Sequence, residues 1–161
     1  MEILVYIGVF SIIIVSISSF VLWAVHSNTK AKVMRETLEN ARRAMEIMTR
    51  EIKEAKNVYG PTTIASQLSL ETEKYLQTGE KTAYIDFYIC GTQLCSRKDG
   101  RDPVALTSEK LEITNLTFSK IITGESPSVQ INLRINYKNP NNRSEQQASV
   151  NLRSSASLRS Y

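Results

Sequence analysis

The sequence has little of the chemistry that catalysis and metal binding need. It contains one histidine, His26, and two cysteines, and none of its six glycines belongs to a glycine-rich phosphate loop. A zinc site takes four ligands, and no second Cys or His pair accompanies the two cysteines. His26 ends an apolar run, a position typical of a membrane-interface residue. Because an active site needs convergent nucleophiles, acids, bases or ligands, we expect no catalytic residue, no metal and no cofactor.

Carboxylates with the spacing of a catalytic pair are also missing. Acidic residues are scattered through the chain beyond residue 62, among them Glu71, Glu73, Asp86, Asp99 and Asp102. Carboxylates that are distant in sequence can still converge in a fold, so their spacing alone does not exclude a site.

The chain also lacks a one-sided block of charge. Its net charge is +4, yet acidic and basic residues are mixed throughout residues 30–56. A mixed distribution is typical of a solvated helix face. Nucleic-acid binding would need a one-sided basic patch with aromatic or groove-entering elements, so no nucleic-acid partner is expected.

What the sequence does contain is one uninterrupted apolar segment. Residues 3–25 carry no charge and consist mainly of Ile, Val, Leu and Phe. As a helix this segment is about 35 Å long, enough to cross a hydrocarbon core of about 30 Å. We therefore predict that residues 1–29 form a single transmembrane helix.

The helix is expected to continue beyond the membrane. No Pro or Gly follows the apolar segment until Gly60 and Pro61, so a helix over residues 3–57 is predicted, with residues 30–59 as an amphipathic continuation. An apolar stripe with alternating spacings of four and three follows this continuation: Met34, Leu38, Ala41, Met45, Met48, Ile52 and Ala55. The stripe can pack on the chain's own following domain or form a coiled-coil dimer. Two alanine positions weaken a coiled-coil seam, which favours packing on the chain's own domain.

From residue 62 onward the apolar period changes to two, which is typical of strands. Alternating runs occupy residues 83–90, 111–118, 129–137 and 148–153. The last two flank the turn formers of residues 139–142 and predict an antiparallel hairpin. We predict an α+β fold in which residues 62–161 form an antiparallel sheet of about four to six strands, packed on the amphipathic half of the helix.

The two cysteines flank a short segment that suits a tight hairpin. Four residues, including Gly91, separate Cys90 from Cys95. A disulfide is favoured if the domain lies outside the cytoplasm, and free thiols or half of a metal site are the alternatives. A loop this short predicts a stabilisation below about 3 kcal/mol.

The beginning of the chain resembles the conserved segment of type IV pilin-like proteins. Glu2 matches the glutamate of that family, and Ile3, Leu4 and Val5 match the apolar residues that follow it. Residues 40–55 resemble the second half of the first helix in J-type minor pseudopilins and related minor pilins. Residues 106–118 and the terminal hairpin are similar as well. The resemblance covers most of the chain, strongly for the helix and moderately for the globular part.

The resemblance implies a non-enzymatic minor pilin or pseudopilin that helps to initiate or cap a type IV pilus or type II secretion filament. It implies that Glu2 pairs with the N-terminal amine of a neighbouring subunit. The implied partners are other major and minor subunits, the inner-membrane assembly platform and membrane lipid. Family members carry a leader that is cleaved after a glycine, and the new terminus is methylated. No basic leader, Gly or Phe precedes Glu2, so we expect an upstream start, a truncated chain or an unprocessed one.

Charge placement predicts the opposite topology from the resemblance. Lys30, Lys32 and Arg35 follow the apolar segment, and the positive-inside rule would place the C-terminal domain in the cytoplasm. We follow the resemblance, which implies a single-pass protein of the cytoplasmic membrane with an extracytoplasmic domain. A second hypothesis is a membrane-tethered sensor or ligand-binding domain that does not polymerise.

Overall fold

A computed structural model of the chain describes residues 2–60, 64–76, 78–122 and 127–158. One long N-terminal helix packs on two antiparallel sheets, so the fold is α+β as predicted. The elements in chain order are α1 Glu2–Glu54, β1 Asn57–Gly60, β2 Ile64–Ala65, β3 Leu68–Thr72, β4 Ala83–Cys90, β5 Gln93–Lys98, β6 Val104–Ala105, β7 Leu111–Ile122, β8 Pro127–Tyr137, the 3-10 helix η1 Ser144–Gln146, and β9 Ser149–Ser157.

Helix α1 is continuous over 53 residues, or about 80 Å, but it ends before the predicted residue 57. The backbone N–H of Lys56 already donates to the carbonyl of Glu71 at 2.8 Å. Val58 is 2% exposed and pairs with Leu70 across β1 and β3. Burial of Val58 and the ladder hydrogen bonds replace the last helical turn, so Gly60 lies at the end of a strand and does not stop the helix.

The second half of α1 buries one face against the chain's own domain, as predicted. Ala41, Met48 and Ile52 are fully buried. The N-terminal end of the predicted stripe was wrong, because Met34 is 47% exposed and Val33 is buried in its place. Met34 and Ile52 are 18 residues, or five helical turns, apart and therefore share one angular position on α1. Met34 is exposed because it lies at the end of the packed stretch, where the buried residues are Val33 and Thr37.

The sheet domain consists of two sheets, and the prediction of one sheet was wrong. Strand order is β1-β3-β4-β5-β6 in the first sheet and β2-β7-β8-β9 in the second, with every pair antiparallel. The sequence predicted neither the short strands β1, β2, β3 and β6 nor β5. Strands β2 and β6 have only two residues each, too few for an alternating pattern to be recognised.

The predicted strands are all present. Strand β4 has the predicted bounds, and β8 and β9 form the predicted hairpin. Strand β9 extends to Ser157 because Ala156 is buried opposite Val129. In β7 the register shifts between Ile113 and Asn115. This bulge adds one residue to β7, so the side chains that point inward are at odd-numbered positions before it and at even-numbered positions after it. Ile113 and Leu116 therefore both reach the core.

One hydrophobic core joins the helix to both sheets. It includes residues of α1, of β3 to β5 and of β7 to β9. The Asn40 side chain of α1 accepts a hydrogen bond from the backbone N–H of Ser108 at 3.2 Å. The carbonyl of Thr92 accepts from the N–H of Ile113 at 2.8 Å and connects the two sheets. This core covers α1 only from Val33 onward, which leaves the first half of the helix uncovered.

Candidate assembly and membrane-contact site

The first half of α1 presents apolar side chains on its whole circumference. Large apolar residues are exposed from Ile3, at 74%, to Val25, at 58%. In the described part of the chain, α1 is the one helix long and apolar enough to cross a membrane. Its apolar segment therefore suits a single-pass membrane anchor.

Serines within the apolar segment have their hydroxyl groups satisfied by the helix itself. Each donates a hydrogen bond to the carbonyl four residues earlier, at 2.8–2.9 Å. They are Ser11, Ser16, Ser18 and Ser19. Because lipid offers no hydrogen-bond partners, this internal bonding allows four hydroxyl groups to lie in an apolar medium.

Glu2 is the first residue of α1 and is exposed. A carboxylate in the first helical turn is favoured by the free N–H groups and the positive end of the helix dipole. Among the residues that the structure describes, no cation lies within ion-pair distance of Glu2. Pairing with the amine of a neighbouring subunit therefore stays a prediction for this residue.

His26 contacts the domain from the end of the apolar segment. Its Nδ1 lies 3.6 Å from Oε2 of Glu145, in η1. The pKa of Glu145 is lowered, first by a hydrogen bond from its own backbone and then by the nearby His26 and Ser144. This pair was not predictable from the sequence, because its two members lie near opposite ends of the chain.

Cys90 and Cys95 are joined by a disulfide, with Cα atoms 5.8 Å apart. They lie on the hairpin of β4 and β5, where Cys90 is opposite Gln93 and Cys95 is opposite Tyr88. Gly91 adopts a φ of 65° in the turn, a conformation that glycine accepts without steric cost. The hairpin is thus closed by both backbone pairing and a covalent bond. Among the described residues, no group of three His, Cys, Asp or Glu side chains is arranged to hold a metal.

Three of the scattered carboxylates converge on one cleft of about 670 Å³. The cleft is lined by Tyr59, Ser69, Tyr84, Asp86, Arg97, Lys98, Asp99, Gly100, Arg101 and Asp102. Asp86 is already engaged there, because its carboxylate accepts hydrogen bonds from Ser69 Oγ at 2.7 Å and from Arg97 at 2.8 Å. The bond to Asp86 raises the pKa of Arg97. The lining contains three acidic and three basic residues, so neither sign of charge dominates the cleft.

The remaining scattered carboxylates lie outside this cleft. Glu73 binds Lys56 at 2.8 Å, and this hydrogen bond raises the pKa of Lys56. Glu71 lies on β3, opposite Tyr84 and Asn57. The structure therefore separates these two from Asp86, Asp99 and Asp102.

A buried acidic residue, Glu51, was missed from the sequence. It lies on the covered face of α1 and is 6% exposed. The hydroxyl of Tyr75 donates to Glu51 Oε1 at 3.1 Å, and Lys98 Nζ lies 3.8 Å from the centre of the Tyr75 ring. Its burial could have been predicted from spacing, because Glu51 follows Met48 by three residues and precedes Ala55 by four, which places it beside the apolar stripe.

In comparisons with known proteins, no family model, curated protein or solved structure matches the chain. A functional proposal for this protein consequently depends on its own residues and fold.

Proposed function

We propose that the protein is a non-enzymatic minor subunit of a pilin-like filament, of the kind that builds type IV pili or type II secretion pseudopili. The observation that carries the proposal is the division of α1 into an uncovered apolar half and a half packed on the sheets. Apolar halves from several subunits can bundle into a filament core while the sheet domains stay outside. Before assembly, the same half anchors the subunit in the cytoplasmic membrane.

Glu2 would set the axial position of each subunit in such a bundle. A charge inside an apolar environment is costly unless it is paired, and the N-terminal amine of a neighbouring subunit is a suitable partner. Glu2 lies about 47 Å along the helix from Val33, the first buried residue. Substitution of Glu2 should therefore affect association and leave the folded domain intact.

The disulfide supports an extracytoplasmic position for the sheet domain. Structural disulfides such as that of Cys90 and Cys95 persist in oxidising compartments and are rare in the cytoplasm of mesophiles. The partners of the subunit would then be other major and minor subunits and the membrane-embedded assembly platform. In this arrangement the protein helps to initiate or cap the filament.

The test is substitution of Glu2 in the full-length reading frame, co-expressed with the other subunits. Loss of one partner of a desolvated charge pair costs about 3–5 kcal/mol, so Glu2→Ala should abolish recovery in sheared filaments and co-purification with the other subunits. Glu39→Ala is the matched control, because Glu39 is exposed on the packed half of the same helix. Normal incorporation of Glu2→Ala would refute the assembly role of this carboxylate.

The second candidate is a membrane-tethered ligand-binding domain that does not polymerise. The cleft around Asp86, Tyr59 and Tyr84 favours it, since its volume of about 670 Å³ could hold a small molecule. The two candidates predict different reading frames upstream of Met1: a leader ending in Gly, followed by Phe-Thr-Leu or a close variant, favours the filament subunit. They also predict different cross-linking in native membranes, with ladders of subunits for the first and isolated chains for the second.

A further inference from the structure

The connection between β8 and β9 contacts α1 at the level where the apolar segment ends. Glu145 of this connection lies 3.6 Å from His26, which directly follows Val25. One residue of helix corresponds to a rise of about 1.5 Å, whereas the headgroup layer on each side of a bilayer is about 5–7 Å thick. When residues 3–25 span the membrane, a contact at this level places the connection at the lipid headgroups.

Trp23 marks the same level independently. Its side chain is 67% exposed and lies three residues before His26. Tryptophan is enriched at the boundary between hydrocarbon and water, where its ring is apolar and its N–H is polar. The boundary of the membrane therefore falls at Trp23 to His26, the position at which the connection meets the helix.

The connection is a built turn in which Asn139 holds the backbone of Arg143 on both sides. Asn139 Oδ1 accepts from the N–H of Arg143 at 2.8 Å, and Asn139 Nδ2 donates to its carbonyl at 2.7 Å. Asn142 adopts a φ of 50°, a left-handed conformation that asparagine tolerates better than most residues. The exposed side chain of Arg143 is therefore presented from a fixed backbone.

Two exposed cations lie near this level, Lys30 on α1 and Arg143 on the connection. Lys30 is exposed and follows His26 by four residues, so both lie on the same face of α1. The carboxylate of Glu145 lies beside His26, and after the hydrogen bond from its own backbone the charges of His26 and Arg143 both contribute to its lowered pKa. Arg143 and Lys30 are therefore exposed near the level of the headgroup layer, on two different elements of the fold.

We propose that the β8–β9 connection, residues 138–147, is a second membrane contact in which Arg143, together with Lys30, binds the phosphate groups of anionic lipids. The helix anchors the chain, and this contact fixes the tilt of the sheet domain relative to the bilayer. The inference depends on insertion of the apolar segment and is independent of filament assembly.

The first test measures the depth of the connection in the full-length chain reconstituted in phosphatidylcholine vesicles. Asn141→Cys, in the exposed turn, carries a fluorophore attached without reductant, so that the disulfide stays closed. The matched control is Lys53→Cys, exposed on the same helix and about 40 Å farther along the axis than His26. A nitroxide on the lipid headgroup should quench the label at position 141 several-fold more than at position 53. Equal quenching at the two positions would overturn the contact.

The second test adds phosphatidylglycerol to the vesicles. The anionic lipid should raise the fraction of quenched label at position 141. In this labelled chain, Arg143→Gln and Lys30→Gln should each lower the equilibrium constant for the membrane contact about fivefold. Arg42→Gln, exposed on the packed half of α1, should leave it unchanged. The phosphate contact would be overturned if phosphatidylglycerol did not change the quenching, or if Arg143→Gln did not change it. No other subunit is present in these vesicles, so failure of filament assembly would not affect the result.

Discussion

The two halves of helix α1 share one continuous backbone and differ in what covers them. Large apolar side chains of the first half, such as Ile3 and Trp23, are exposed, whereas Ala41, Met48 and Ile52 of the second half are fully buried. Backbone hydrogen bonding is helical throughout, so the difference comes from side-chain pattern. The second half confines its apolar residues to one face, which a single domain can cover. The first half is apolar all round, so it needs lipid or several other helices.

The comparison separates two kinds of stability in one helix. The first half depends on its surroundings, membrane or neighbouring subunits, and the second half depends on the chain's own core. Substitutions in the two halves should therefore change different measurements.

The largest expected effect is on membrane association. Each arginine at the centre of a transmembrane helix costs about 2.5–3.5 kcal/mol, so Ile13→Arg combined with Ile14→Arg should cost about 5–7 kcal/mol. The parent chain should stay in the membrane pellet after carbonate extraction, and the double variant should move to the supernatant.

The matched control places two arginines on exposed positions beyond the apolar segment. Ala31→Arg combined with Met34→Arg should remain in the pellet, because both side chains are already exposed outside the predicted span. Release of the parent chain by carbonate would contradict the membrane anchor. It would also contradict the statement that the first half of α1 depends on lipid.

The next effect is on folding of the sheet domain. Met48→Ala removes a fully buried side chain of α1 and should lower the free energy of unfolding by about 2–5 kcal/mol. Met34→Ala, whose side chain is 47% exposed, should change it by about 0.5 kcal/mol or less. Chemical denaturation in detergent, followed by circular dichroism, measures both. Equal losses would mean that the covered face of α1 has been assigned wrongly.

The third effect concerns the hairpin of β4 and β5. Replacement of Cys90 and Cys95 by serine should lower the free energy of unfolding by about 2 kcal/mol, because the loop closed by the disulfide is short. Thiol labelling of the denatured parent chain should require a reductant. Labelling of both cysteines without reductant would show free thiols and would remove the main support for an extracytoplasmic domain.

The sequence was sufficient for the parts of the fold with a long, regular pattern. The amphipathic half of helix α1, strand β4 and the hairpin of β8 and β9 each repeat a period over six or more residues. The division of the strands into two sheets was not predictable in this way, because each sheet includes a strand of only two residues, β2 in one and β6 in the other. Strand β1 was assigned to the helix, since local pattern cannot show that Val58 pairs with Leu70.

The candidate site was predictable only where it is local in sequence. Glu2 and the apolar segment are recognisable from neighbouring residues, and Cys90 and Cys95 are five positions apart. The contact of His26 with Glu145 and the convergence of Asp86 with Asp102 join residues from different elements. Such contacts follow from tertiary packing, which no short pattern encodes.

The smallest expected effect lies at the junction of the two halves, where Glu145 meets His26. Because the folded state lowers the pKa of Glu145, the carboxylate stabilises the fold above its unfolded pKa, and this stabilisation is lost as the pH falls through the lower, folded value. Glu145→Gln removes the titrating group while it keeps the shape of the side chain. The difference in unfolding free energy between parent and variant should be small above about pH 5 and should shrink toward zero in more acidic solution. Glu39→Gln, exposed on α1, is the control and should show no such convergence. A difference between parent and Glu145→Gln that persists unchanged to pH values well below the ordinary carboxyl pKa of 4.5 would show that the ionised carboxylate of Glu145 does not stabilise the folded state.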